Sequence, residues 1–373
     1  MRKYQICTNC VMDTTDVNIY FDEKGVCNHC LRYFNQISML PAGDEAKRQL
    51  HGVVNKLKKA GRGKEYDCII GLSGGVDSTY VAYLVKKVLG LRPLAVHLDN
   101  GWNSELSVKN IENILKILNI DLYTHVIDWE EFKDIQLSFL KASTPDSEIP
   151  TDHAIFALLR KISKKYGAGY VLNGINLKTE GHHPLSWSQG HNDFGYIKSV
   201  QKMFGTKKIK TFPHGNIFTI LTDRLSIRWV NILNYVDYNK EHAKEIITRE
   251  LNWRDYGGKH FESIYTRFYQ GYILPVKFGM DKRRMHFSSL ICACEMTRDD
   301  ALKKLKEPPY PEEMQNADIE YVTKKFEITE QQFSNIMALP PKTYHEYPSY
   351  YGKILRNPLY KKVVSFFKKW LKK

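Results

Sequence analysis

The residues that best announce chemistry are Ser73-Gly74-Gly75-Val76-Asp77-Ser78. Gly74 and Gly75 carry no Cβ, so backbone N–H groups there can turn toward a phosphate and approach it closely. Ser73 and Ser78 add hydroxyl donors, and Asp77 is placed to hold the Mg²⁺ that accompanies a triphosphate. The lysine of a Walker loop is missing, which separates the segment from ordinary kinase and GTPase loops. The plain alternative is a glycine turn with Ser-x-x-Ser capping a structural helix. A second constellation is Cys7-x2-Cys10 with Cys27-x2-Cys30, four of the seven cysteines in the chain. Each pair puts two thiolates on one tight turn, and two such turns complete a tetrahedral S₄ site for Zn²⁺. Iron–sulfur ligation is the competing metal reading. His29, inside the second pair, reads as a packing residue, Cys68 as a small buried hydrophobe, and Cys292 and Cys294 as incidental helix cysteines.

These groups need elements to position them. Cys68-Ile69-Ile70-Gly71-Leu72 reads as a buried strand directly before the glycine loop, and Ser78 to Leu89 as the helix after it. The positive end of that helix then faces the same anion as the loop. Further strands are expected at Pro93 to Leu98, Leu122 to Ile127 and Gly169 to Asn173, alternating with helices at Val108 to Leu118 and Ala154 to Tyr166. Strands alternating with such helices imply an α/β fold with a doubly wound parallel sheet, in which ligands bind beyond the carboxyl ends of the strands. Asp99, after the second strand, and Gly174 with Glu180, after a later one, therefore become candidates for nucleotide, metal or substrate contacts. A solvated loop acid is the alternative for Asp99 and for Glu180. The expected organisation is a four-cysteine zinc module over 1–40, a linker helix over 41–63, the nucleotide domain over 64–220 and a mostly helical region over 221–373.

The glycine segment resembles the SGGxDS signature of the PP-loop superfamily, which implies cleavage of ATP to AMP and pyrophosphate. The chain as a whole resembles the N-acetyl sugar amidotransferases of surface-polysaccharide biosynthesis. The resemblance rests on Cys7-Thr8-Asn9-Cys10-Val11-Met12-Asp13, the second cysteine pair and Gly71-Leu72-Ser73-Gly74-Gly75-Val76-Asp77-Ser78. It also rests on Pro145-Asp146-Ser147-Glu148-Ile149-Pro150-Thr151-Asp152-His153 and Lys277-Phe278-Gly279-Met280-Asp281-Lys282-Arg283-Arg284. It implies an acetamido sugar substrate whose amide oxygen is adenylated and replaced by ammonia, giving an acetamidino sugar. A separate glutaminase with a cyclase-like companion would supply that ammonia. In this scheme Lys282, Arg283 and Arg284 are candidates for holding pyrophosphate or substrate anions, with a solvated basic turn as the alternative. Asp152 and His153 are candidates for acid/base or sugar-binding work, and Trp187 for stacking on a sugar face or filling the core. Glutaminase chemistry is not expected in this chain, because no cysteine sits in a nucleophile context.

At 373 residues, with 43% hydrophobic and 26% charged residues, the composition is that of a globular protein large enough for more than one core. The surplus of 55 Lys+Arg over 41 Asp+Glu gives a net charge of +14, which raises the local concentration of anions without choosing among them. A tRNA-thiolating PP-loop enzyme is the alternative that this charge suits, although few cysteines remain for sulfur transfer. Nucleic acid is accordingly not the expected partner. No apolar run is long enough to span a bilayer and the N-terminal residues lack a signal-peptide core, so a cytosolic location is expected. Leu359, Val363, Phe366, Phe367 and Trp370 fall on one helical face amid Lys361, Lys362, Lys368 and Lys369. Such a tail suits an anionic membrane face, a partner groove or its own core.

Overall fold

The computed structural model describes residues 3–350 and 352. The expected tail helix and its membrane contact lie outside the described residues. Among the described residues, no helix is long and apolar enough to cross a membrane.

Five strands form one sheet: β1 (Cys68–Gly71), β2 (Pro93–Asp99), β3 (Asp121–Val126), β4 (Tyr170–Asn173) and β5 (Arg228–Asn231). Their order is β3-β2-β1-β4-β5, and every pairing is parallel. The period-2 alternation of a strand divides the apolar side chains between two cores. Cys68, Ile70 and Leu72 of the β1 region join Ala95 and Leu172 on one face, against Val54, Leu57, Val81 and Ile114 from the helices. Ile69, Leu94, Val96 and Val171 face the other way, against Phe132, Phe139, Leu158, Ile162 and Tyr265. The sheet is thus covered on both faces, as the alternating pattern predicts.

Two expected boundaries move. The sheet does not close at residue 220, because β5 pairs with β4 through Tyr170↔Arg228 to Asn173↔Asn231. Nor is the helix Gly43–Ala60 a free linker, since Val54 and Leu57 are buried in the core that also holds Cys68 and Ile70 of β1. Beyond β5 the described chain is mostly helical, as expected. The cysteine segment forms its own small core, in which Cys7, Cys10, Cys27, Cys30, Met12, Ile19 and Trp187 pack beside Met280, Met285 and Cys292.

Candidate active site

The chain reverses its progress across the sheet between β1 and β4, and the crevice of a doubly wound fold opens there. The glycine loop leaves β1 at this point. Gly74 has φ +82°, a conformation that favours glycine, and the helix Val76–Tyr83 starts at Gly75 with no side-chain cap. Its first backbone N–H groups therefore remain free to bind an anion. Ser73 and Ser78 lie with their hydroxyls 3.1 Å apart, and Ser78 Oγ donates to the Gly75 carbonyl at 3.1 Å. At the end of β4, a Cβ on Gly174 would stand 2.9 Å from the Asp77 Cβ and 3.0 Å from its carbonyl carbon. Gly174 is therefore the residue that lets the helix start approach β4.

Asp77 accepts the Tyr238 hydroxyl on one oxygen, and its other oxygen lies 3.8 Å from Lys240 Nζ. Burial pushes its carboxyl up, yet Lys240, Lys259 and the Tyr238 hydroxyl outweigh that and keep it ionised below the usual range. Lys259 ion-pairs with Glu180 at 3.1 Å and donates to His286 Nδ1 at 2.9 Å. An ammonium is donor-only, so Nδ1 accepts and the proton of neutral His286 sits on Nε2, which has no hydrogen-bond partner. His286 thus presents a buried donor suited to an anionic oxygen. A magnesium ion commonly takes one or two carboxylates and completes its shell with phosphate and water. Asp77 fits that limited requirement.

Much of the phosphate site comes from far along the chain. Trp253 Nε1 and the Tyr256 hydroxyl both donate to the Gly74 carbonyl, at 2.8 and 2.9 Å. Glu262 lies 3.0 Å from where a Gly75 Cβ would stand and 3.6 Å from His260 Nδ1. His260 itself has φ +65°, an uncommon conformation for a non-glycine residue. Composition offered no warning of this loop. The run Tyr256-Gly257-Gly258-Lys259-His260 was its one signal, a glycine pair followed by charged residues.

A second group of titratable side chains adjoins the first. Asp152 and His191 Nδ1 pair at 3.1 Å, and His191 Nε2 meets Ser188 Oγ at 2.6 Å, which in turn donates to Asp146. Burial alone would lower the His191 pKa, but the Asp152 carboxylate raises it to about 9, and the same pairing overcomes burial to lower that of Asp152. Although 46% of the Asp152 side chain is accessible, it lies deep among protein atoms, so that surface faces the cleft. Glu148 accepts Thr266 Oγ1 at 2.5 Å, and burial pushes its carboxyl up to about 7 despite the opposing charge of Lys282. The Lys282 ammonium is close enough to act on Glu148, Asp152, His183, His191 and His286, members of both groups.

Several expected roles change. Arg283 is held by Asp281 through its Nε and by a 2.7 Å bond from Nη2, and its Nη1 donates to the carbonyls of Lys304 and Pro308. It clamps its own turn rather than holding an anion. Arg284 likewise binds Asp13 at 3.0 Å and the Val11 carbonyl at 2.9 Å, tying the cysteine segment to the cleft helix. Asp99 accepts Gly101 N–H at 2.9 Å and Asn103 Nδ2 at 3.3 Å, which commits it to the turn after β2. His153 is a satisfied core histidine, with Nδ1 on the His191 carbonyl at 2.7 Å and Nε2 accepting Gly215 N–H. Trp187 is buried in the cysteine core, not on a sugar-binding surface.

At the cysteine module, the sulfurs of Cys7 and Cys30 lie 3.9 Å apart and those of Cys10 and Cys27 lie 3.7 Å apart. A zinc tetrahedron with bonds of about 2.3 Å has S···S edges of about 3.8 Å, so the four fully buried thiols suit that ion. Backbone N–H groups of Cys10 and Cys27 point at Cys7 Sγ, as thiolates require. His29, as expected, takes no part and pairs instead with Asp16 at 2.6 Å.

Comparison with known proteins finds two separate matching stretches of the chain. Residues 262–362 match the family described as LPS biosynthesis protein WbpG-like, C-terminal domain, and residues 46–155 match NAD synthase. The chain is similar to a tRNA-specific 2-thiouridylase MnmA of Chlamydia abortus, 28% identical over 40% of this chain and 46% of that one. It is also similar to a GMP synthase [glutamine-hydrolyzing] of Pyrobaculum aerophilum, 38% identical over 20% of this chain and 14% of that one. It spans less than half the length of these curated relatives. Among solved structures, an NH3-dependent NAD synthetase of Campylobacter jejuni aligns over 72% of this chain and 99% of its own, with 15% identity and a TM-score of 0.33.

Proposed function

For a chain that belongs to the PP-loop ATP pyrophosphatase superfamily and carries the WbpG-like domain of LPS biosynthesis proteins, we propose an AMP-forming amidotransferase acting on an acetamido sugar. What supports the reading is a second titratable group beside the phosphate loop, in which the Lys282 charge acts on Glu148, Asp152 and His191 and also on His286 of the first group. A simple ATP-hydrolysing site has no need of that second group.

An amide carbonyl is a poor electrophile and its oxygen a poor leaving group. In the proposed reaction the acetamido oxygen attacks the α-phosphorus of ATP, and pyrophosphate leaves. Loop N–H groups, Ser73, Ser78 and the His286 Nε2–H would bind the phosphates, with Lys282 and Lys259 offsetting developing charge. Magnesium held at Asp77 would add charge neutralisation when bound. Ammonia then attacks the imidate carbon, AMP departs from oxygen, and the amidine remains. The attacking nitrogen must shed a proton, and Glu148, half ionised near neutrality, is suited to accept it. Water must be kept out, because hydrolysis of the imidate would return the amide and waste ATP. We therefore also propose that ammonia arrives from a separate glutaminase with a cyclase-like companion. The isolated chain should turn over with ammonium and not with glutamine, and turnover on glutamine alone would remove that part of the proposal.

The similarity to tRNA 2-thiouridylases keeps one other reading open. Pyrophosphate release from Mg·ATP and ammonium, measured against nucleotide-linked and acidic acetamido sugars beside bulk tRNA, separates the two. Sugar-dependent release with a product about one mass unit lighter supports the amidotransferase. Release that depends on tRNA overturns it.

A further inference from the structure

Cys292 does not lie idle on its helix. Its sulfur is 3.8 Å from Cys30 Sγ and 4.0 Å from His182 Nε2, and Cys30 Sγ is 3.6 Å from the same nitrogen. For zinc bonds of about 2.3 Å to sulfur and about 2.0 Å to nitrogen, tetrahedral edges are about 3.8 and about 3.5 Å. These three donors therefore stand close to coordination distance from one another, with Cys30 shared between them and the four-cysteine site.

The tautomer of His182 separates a ligand from a mere neighbour. Ser289 Oγ has one proton, which it donates to the Met285 carbonyl at 3.1 Å, while the backbone N–H of His182 donates to Oγ at 3.0 Å. With that proton on the Met285 carbonyl, the contact of 3.3 Å between Oγ and His182 Nδ1 is a bond from Nδ1–H. In the neutral ring Nε2 is left with a bare lone pair, and it points at two sulfurs. A zinc-bound Cys30 thiolate has no proton to offer that lone pair. Four thiolates around one divalent ion also leave net negative charge in a buried pocket, which a further cation relieves.

We propose that Cys30, His182 and Cys292 hold a second zinc ion, with Cys30 bridging it to the four-cysteine site. Ser289 orients the histidine from behind, the usual arrangement for a metal-binding imidazole. The helix Arg283–Cys292 gains a particular meaning from this. Lys282 caps its start and His286 lies one turn in, both in the cleft, while Cys292 ends it at the metal. The second ion pins the far end of the helix that carries these cleft residues.

Zinc content of the full chain, equilibrated in a zinc-buffered solution and then desalted, tests this directly. The wild type should retain about two ions per chain, and Cys292→Ser and His182→Ala about one each. Cys294→Ser should keep both, and His182→Cys, which restores a donor, should recover the second. In parallel, cobalt titration should show a second step of thiolate-to-cobalt absorption that Cys292→Ser abolishes. A single zinc in the wild type, or a second one indifferent to Cys292 and His182, overturns the proposal. Iron with acid-labile sulfide at this centre overturns it as well.

Discussion

Glu148 and Lys282 carry the proposed chemistry at the level of single side chains. If Glu148 takes the proton from attacking ammonia, Glu148→Gln should lower kcat roughly 100-fold. It should also remove the rise in rate through about pH 7, measured at constant free ammonia. Stability gives an independent readout. The folded state raises this carboxyl above its unfolded value, so it binds the proton more tightly, and stability falls as pH rises from about 4.5 to about 7. Glu148→Gln should therefore melt higher than wild type at pH 8, and the difference should vanish below about pH 4.5. A melting difference that grows toward acid pH would contradict the assignment. Lys282 and Arg283 are neighbours with opposite expectations. Lys282→Ala should reduce kcat/KM by on the order of 100-fold with little change in Tm. Arg283→Ala leaves Asp281 half-buried without its partner, so it should lose about 1–3 kcal/mol of stability and keep most of its activity per folded molecule.

Among the elements, the decisive contact is the start of the helix Val76–Tyr83 against the end of β4. A Cβ on Gly174 would press on Asp77 backbone atoms, which cannot rotate away as a flexible side-chain tip could. Gly174→Ala should therefore shift the loop, destabilise by roughly 1–3 kcal/mol and raise the KM for ATP. Unchanged ATP kinetics in this variant would show that the crevice tolerates the shift. The segment from Trp253 to Glu262 holds the same loop, because Trp253 and Tyr256 both donate to the Gly74 carbonyl.

For the molecule as a whole, the cysteine module is built into the cleft. Arg284 reaches Asp13 and Val11, and Arg298 donates to the carbonyls of Cys7 and Cys10 at 3.0 and 3.1 Å. Removing metal from the module should therefore lower the Tm of the full chain and abolish turnover together, since metal-binding energy is folding energy in such a site. Loss of zinc with Tm and activity intact would show that the module is a passive appendage. The charge of +14 acts at this same scale. It favours anionic substrates in general and weakens in its effect as salt is added.

The sequence by itself determined the local features. Strand, glycine loop and helix were legible from Cys68 to Leu89 because burial, turn chemistry and phosphate affinity all act there on adjacent residues. The two cysteine pairs were legible for the same reason, each pair being one turn. Partnerships between distant residues were not legible. Asp77 depends on Tyr238 and Lys240, Gly74 on Trp253 and Tyr256, and Cys30 approaches Cys292 across most of the chain. The basic run Lys282-Arg283-Arg284 shows the limit most plainly. Three adjacent cations look equivalent in a sequence, but successive residues of a helix start point in different directions. Only the packed structure sends one into the cleft, one to Asp281 and one to the cysteine module, because the neighbours that accept each charge come from separate parts of the chain.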